Sequence, residues 1–239
     1  MPDRGAPLSV RLTTGDLSSV TDEAFLRGQN MAAIGDGSPG GWELLQFRDA
    51  LPLAPNEFEV SYRLRGQLGT EAEMREIWPE GSLFVLLTPA MQQLAVNAHG
   101  LGLPQHYRIG PGQNPVDAPS YTHAVHSFQG RGLRPYAPVH LRVDPVAEGK
   151  QVSFVRRTRI DGDRWDLPEV PLGEAVEHYL VRVNAVGSLL RETSVTTSNW
   201  VYRDTDWSAD GAPEEYEIAV AQLSDRYGPG AFARRTINV

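Results

Sequence analysis

Between Trp42 and Arg65 two β-type runs flank a proline-asparagine turn. Phe58, Val60 and Tyr62 alternate with Glu59, Ser61 and Arg63, a period of two that puts three apolar side chains on one face of a strand. The run Trp42-Glu43-Leu44-Leu45-Gln46-Phe47-Arg48, continued by Leu51 to Leu53, precedes it. The segment Ala54-Pro55-Asn56-Glu57 between them carries turn chemistry. A hairpin with one buried face follows, so this part of the chain must build a sheet and cover one side of it.

The surrounding sequence extends that sheet. Leu8 to Leu12 alternates as a strand, Thr21 or Asp22 can cap a short helix through Arg27, and Gly35 to Gly41 is a loop. Thr70 to Met74 predicts a helical turn, ended by Pro79-Glu80-Gly81, and Leu83 to Leu87 reads as a fully buried strand. His106 to Gly110 and Tyr121 to Phe128 are two more strands around a Pro- and Gly-rich loop. With 23 glycines and 18 prolines, turns and short strands are favoured over long helices.

A boundary falls in Gly130-Arg131-Gly132-Leu133-Arg134-Pro135-Tyr136-Ala137-Pro138, which has the composition of a linker. We therefore expect a β-rich domain over 1–134 and a second domain over 135–239, each within the ordinary size range. Past the boundary, short strands recur at even spacing: 139–143, 151–159, 178–186, 189–195, 200–203 and 215–223. That rhythm predicts a β-sandwich. The fold class is mainly β.

Composition removes several functions. The net charge is −8 and basic residues cluster only at Arg156-Arg157-Arg159 and Arg234-Arg235, which is poor equipment for displacing counterions from nucleic acid. No cysteine is present, so disulfides, thiolate metal sites and thiol nucleophiles are out. The opening Met1-Pro2-Asp3-Arg4-Gly5 lacks a signal-peptide pattern, and no apolar run approaches the ~20 residues that span a bilayer, so synthesis in the cytoplasm without membrane insertion is expected.

No catalytic constellation emerges. There is no nucleophile elbow, phosphate loop or dinucleotide fingerprint, and carboxylates such as Glu71, Glu73, Glu214 and Glu215 fall in loops and turns, where solvation accounts for them. His123 and His126 stand three apart in a strand, on opposite faces, and do not make a metal site. Asp161-Gly162-Asp163 with Asp166 lacks the spacing of a calcium loop and reads as an acidic turn. No cofactor or metal is expected. The aromatic residues offer more: Trp165 and Trp207 lie in or beside loops, where an indole can stack on a sugar ring or anchor an interface, with Asp161 and Asp163 as hydrogen-bonding neighbours. The structural alternative sends Trp200 and Tyr202 into the sandwich core and uses Trp165 and Trp207 to cover its ends.

Two resemblances sharpen these expectations. In the second half, Pro138-Val139-His140-Leu141, Tyr179-Leu180-Val181-Arg182-Val183 and Tyr216 to Leu223, followed by Asp225-Arg226-Tyr227-Gly228-Pro229-Gly230, resemble a fibronectin type III domain. Val152-Ser153-Phe154 departs from it by placing Phe where that family usually has a buried tryptophan. Across the whole chain, Trp42 to Phe47, Leu64 to Thr70, His106 to Pro111, Gly132 to Leu141 and Arg156 to Asp163 are similar to blocks of the C-terminal region of gene transfer agent and siphophage tail-tip proteins. Those are the host-specificity, baseplate hub or "megatron" proteins.

The second resemblance implies a virion-like tail particle, contacts with other tail and baseplate subunits or with recipient-cell surface polysaccharide, and a homotrimer for the full-length protein. Nothing here is similar to the glycoside-hydrolase-like barrel that lies upstream in that family, so a C-terminal fragment, or a product starting partway through the reading frame, is expected. The expected role is a non-catalytic structural and interaction module. A free-standing carbohydrate-binding module using Trp165 and Trp207 is the alternative, and a hydrolase ranks last.

Overall fold

The computed structural model describes every residue except Met1, Gln92 and Asp163. Its contacts divide into two units, residues 1–132 and 133–239, and the molecule is mainly β.

The first unit is built on a five-stranded antiparallel sheet. Its strands are β1 (Leu8–Arg11), β2 (Met31–Gly35), β3 (Trp42–Ala54), β4 (Glu57–Leu64) and β5 (Leu83–Leu86), in the order β1-β4-β3-β2-β5. The expected hairpin is β3–β4, closed by Pro55 and Asn56, with Asn56 at φ 63° and Ala54 opposite Glu57. The two runs read before the turn are one strand of 13 residues. β2, of small residues between loops, is a strand that the sequence reading missed. β5 is half-exposed rather than fully buried, because it is an edge strand paired on one side only, with β2.

Thr21 caps the short helix α1 (Asp22–Leu26), its hydroxyl accepting from the Ala24 amide at 3.2 Å. The helical turn expected at Thr70 to Met74 is two short 3-10 turns, Gln67–Gly69 and Glu71–Glu73. Farther on, β6 (Pro104–Ile109) and β7 (Thr122–Ser127) form a separate two-stranded sheet.

All five strands of the main sheet supply one core: Val10, Ile34, Leu45, Phe47, Phe58 and Val60 are buried in it, and Phe84 packs against it. Tyr62 does not join them. Its φ is 53°, a left-handed conformation that is strained for a bulky residue, and it breaks the alternation that sequence alone extends from Phe58. The Tyr62 ring packs instead 5.7 Å from Phe25 of α1 and beneath the Arg48 guanidinium at 3.9 Å. The shift in parity turns Arg63 and Arg65 toward the core side of the sheet.

The second unit is a fibronectin-III-like sandwich. One sheet has β8 (Val139–Val146), β9 (Gly149–Val155) and β12 (Asn199–Arg203), in the order β12-β9-β8. The other joins β11 (Ser188–Val195), β10 (Tyr179–Ala185), β13 (Glu215–Ser224) and β15 (Ala233–Asn238), with the two-residue β14 (Gly228–Pro229) also on β13. Three strands facing four, with β10 and β13 central in the larger sheet, is the arrangement of that fold. The last strand and a helix, α2 (Asp204–Ala209), are additions to the sequence reading.

Val152, Phe154, Tyr179, Val181, Val183, Tyr202, Tyr216, Ile218 and Val220 form the sandwich core, so Phe154 is buried where the fibronectin resemblance implies a core aromatic. Gly149 is required at its turn: φ is 143°, and a Cβ there would lie 2.2 Å from the Tyr202 carbonyl oxygen.

Candidate functional site

The five strands of the main sheet do not close. β1 and β5 are the two edges, and an open cleft of about 910 Å³ leads between β1 and the segment 76–82 into the core, reaching Ile34, Leu45, Phe58 and Phe84. That volume is at the upper end for ligand pockets. Its floor is apolar and its wall carries Arg63 and Arg65, brought there by the turn of the chain at Tyr62.

Arg65 is locked by a buried carboxylate. Glu43 is fully buried and accepts from Arg65 Nε at 2.9 Å and Nη2 at 2.6 Å, from Trp78 Nε1 at 2.9 Å and from the Gly66 amide at 3.2 Å. The hydrogen bond to Glu43 raises the Arg65 pKa above the ordinary arginine value, against the opposing effect of burial. Four donors on one carboxylate meet the requirement for burying a charge. Sequence reasoning passed over this network. One signal was available: Glu43 has the same parity as Leu45 and Phe47, which aims it at the core.

A second surface is the β6–β7 hairpin, exposed on both faces over most of its length. His106 and His123 stack on one face, with Nδ1 and Nε2 3.0 Å apart. On the other, Tyr107, His126 and Phe128 form an aromatic group with ring centroids 6.2–6.3 Å apart. No group of three or more metal-ligating side chains occurs among the described residues.

The loop residues singled out by sequence do not converge. Trp165 is fully exposed, in the long connection between β9 and β10, beside an Arg164–Asp166 ion pair. The hydrogen bond from Arg164 lowers the Asp166 pKa. Asp161 lies in the same connection, exposed, at φ 47°; Asp163 lies outside the described residues.

Trp207 sits in α2, half-buried against the sandwich core, with its indole donating to the Pro213 carbonyl at 3.1 Å. The register Asn199↔Ser153 and Arg203↔Gly149 puts α2 at the end of the sandwich where β9 begins, whereas the Trp165 connection leaves from where β9 ends. Trp165 and Trp207 therefore belong to opposite ends and do not form one platform. Trp200 is half-buried and stacks on Tyr202, which is buried. The Tyr216 hydroxyl, where the fibronectin resemblance implies a hydrogen-bonded corner, is buried with no partner among the described residues.

The fold defines a class: an open antiparallel β-unit followed by a fibronectin-III-like sandwich. Residues 1–85 match the family described as "Rcc01698-like, C-terminal". Among solved structures, the chain is similar to domains d3–d4 of the rat CD45 extracellular region at 12% identity, covering 70% of this chain and 79% of that one with a TM-score of 0.31. No curated protein matches. No helix among the described residues is long and apolar enough to cross a membrane.

Proposed function

We propose that this chain is a non-catalytic structural and interaction module of a phage-like tail tip of the gene transfer agent kind, working through contacts with neighbouring tail or baseplate subunits or with the recipient-cell surface. The observation that carries the reading is the match of residues 1–85 to the Rcc01698-like C-terminal family. It falls on the stretch whose blocks, Trp42 to Phe47 and Leu64 to Thr70, carry the tail-tip resemblance.

Surface chemistry supports an interaction role. A lone two-stranded hairpin is marginal in water, yet β6–β7 and its approaches expose Leu103, Ile109 and Val125. A bound partner would bury those side chains. The test is a pull-down of the purified chain with recipient cells and with cells stripped of surface polysaccharide. Saturable binding lost on stripping assigns the contact to the cell surface. Binding to neither, together with retention by purified tail subunits, assigns it to the particle. Retention by none of them refutes the reading.

A carbohydrate-binding module is the second reading, favoured by the full exposure of Trp165. It predicts quenching of tryptophan fluorescence by cell-surface glycans and loss of that quenching in Trp165→Ala. An unchanged spectrum across a broad glycan set removes it.

A further inference from the structure

The cleft of the first unit runs along one unpaired edge strand, β1, and reaches Phe84 of the other, β5. Successive neighbours from β1 through β4, β3 and β2 to β5 are all antiparallel, so β1 and β5 run in the same direction. A single strand antiparallel to both edges would complete the alternation.

The edges are set to receive it. The Leu12 amide donates to the Asn56 carbonyl at 2.9 Å, in register with the Val10↔Phe58 and Leu8↔Val60 pairs. Hydrogen-bonded pairs alternate along an antiparallel ladder, so the backbone groups of Ser9 and Arg11 point away from β4. On the other edge, the Leu87 amide donates to the Met31 carbonyl at 2.8 Å, which by the same alternation leaves Phe84 and Leu86 pointing outward. Neither β1 nor β5 contains proline or lysine, and the nearest proline, Pro7, stands just before β1.

Charge identifies the occupant. Arg11 pairs with Glu57, Arg63 with Asp3 and Arg65 with Glu43, which neutralises the basic residues of the cleft. Glu76 and Glu80, exposed on the rim, have no ion-pair partner among the described residues. We infer that the cleft captures an extended polypeptide strand from a partner protein, with apolar side chains at alternate positions facing Ile34, Leu45 and Phe84 and with Lys or Arg at its ends beside Glu76 and Glu80. Backbone pairing supplies affinity and the alternate pockets supply register, as in other strand additions. This inference names a partner for the interaction module proposed above and rests on that reading.

The probe is a fluorescein-labelled nine-residue peptide that alternates valine with threonine and ends in lysine on both sides, titrated against the full chain by fluorescence anisotropy. Its control replaces two threonines with proline, which removes backbone donors. Ser9→Pro removes the outward donor of β1 at an exposed edge position, where proline is tolerated, and leaves the β1–β4 ladder intact.

Saturable binding, weakened at least tenfold both by the proline peptide and by Ser9→Pro, is expected. Equal binding of the two peptides, no change in Ser9→Pro, or no saturation below about 1 mM overturns the proposal. Should Ser9→Pro fail to fold, Glu76→Lys with Glu80→Lys on the exposed rim is expected to weaken the lysine-ended peptide at least tenfold and to favour a glutamate-ended one; an unchanged preference overturns it equally. Peptide capture alongside a failed pull-down with cells and tail subunits would refute the tail-tip reading and leave strand capture standing.

Discussion

Replacing Arg65 with methionine tests the electrostatic account of the cleft wall. The substitution keeps most of the aliphatic stem but strips Glu43 of two charged hydrogen bonds, at 2.9 and 2.6 Å, and leaves only the Trp78 indole and the Gly66 amide on a fully buried carboxylate. Removing one partner of a buried ion pair typically costs about 3–5 kcal/mol, because the survivor keeps its desolvation penalty. Glu43→Gln should cost less, about 1–2 kcal/mol, since the Arg65 side chain is 20% exposed and can recover water. The double variant should then be more stable than Arg65→Met alone, since no buried charge remains. Hydrogen exchange by mass spectrometry on the full chain reads β3 and β4 separately from the sandwich, so the loss can be located. A cost below about 1 kcal/mol for Arg65→Met, or simple additivity of the two substitutions, would refute the reasoning.

Three further outcomes concern the sandwich. Burial opposes ionisation of Asp210, but hydrogen bonds from Arg191 and Tyr202 prevail and hold its pKa below the ordinary 3.8. A lowered folded-state pKa contributes stability that is present above about pH 4 and lost as the pH falls through the folded value; urea midpoints should therefore drop between pH 4 and pH 3, and less steeply in Asp210→Asn. Burial, with hydrogen bonds to Glu177 and Asp210, raises the Tyr179 and Tyr202 pKa values above 10.0, and burial with the Asp204 charge raises that of Tyr216. Their contribution is complete below about pH 10 and is lost as the pH rises through the folded values, so ultraviolet titration should show these three ionising after the exposed tyrosines, or only on unfolding. Gly149→Ala should destabilise by more than about 2 kcal/mol, read as a lowered Tm of the sandwich, because its Cβ would meet the Tyr202 carbonyl; an unchanged Tm would contradict the close approach.

Period-two patterning and turn chemistry made the β class legible. The β3–β4 hairpin, the Thr21 cap and most sandwich strands are local in origin: each needs only alternating side chains or one capping hydroxyl, and sequence displays both directly. β2 escaped notice because Met31-Ala32-Ala33-Ile34-Gly35 has no alternation; both its flanks are occupied by other strands, and that environment comes from distant chain. The exposure of β5 is likewise a matter of sheet order, which a run of apolar residues does not encode.

The cleft depended most on tertiary structure. Alternation from Phe58 predicts Tyr62 in the core and Arg63 outside, and one left-handed residue reverses both. Trp165 and Trp207 look equivalent as loop tryptophans in sequence, but strand register sends them to opposite ends, one fully exposed and the other packed on the core. What the sequence determined by itself was the β class, the cap and the turns, because those arise from forces between residues a few positions apart. Which edges stay open, which carboxylate is buried and which tryptophan is free were decided only in the folded chain, where register and packing join residues far apart in sequence.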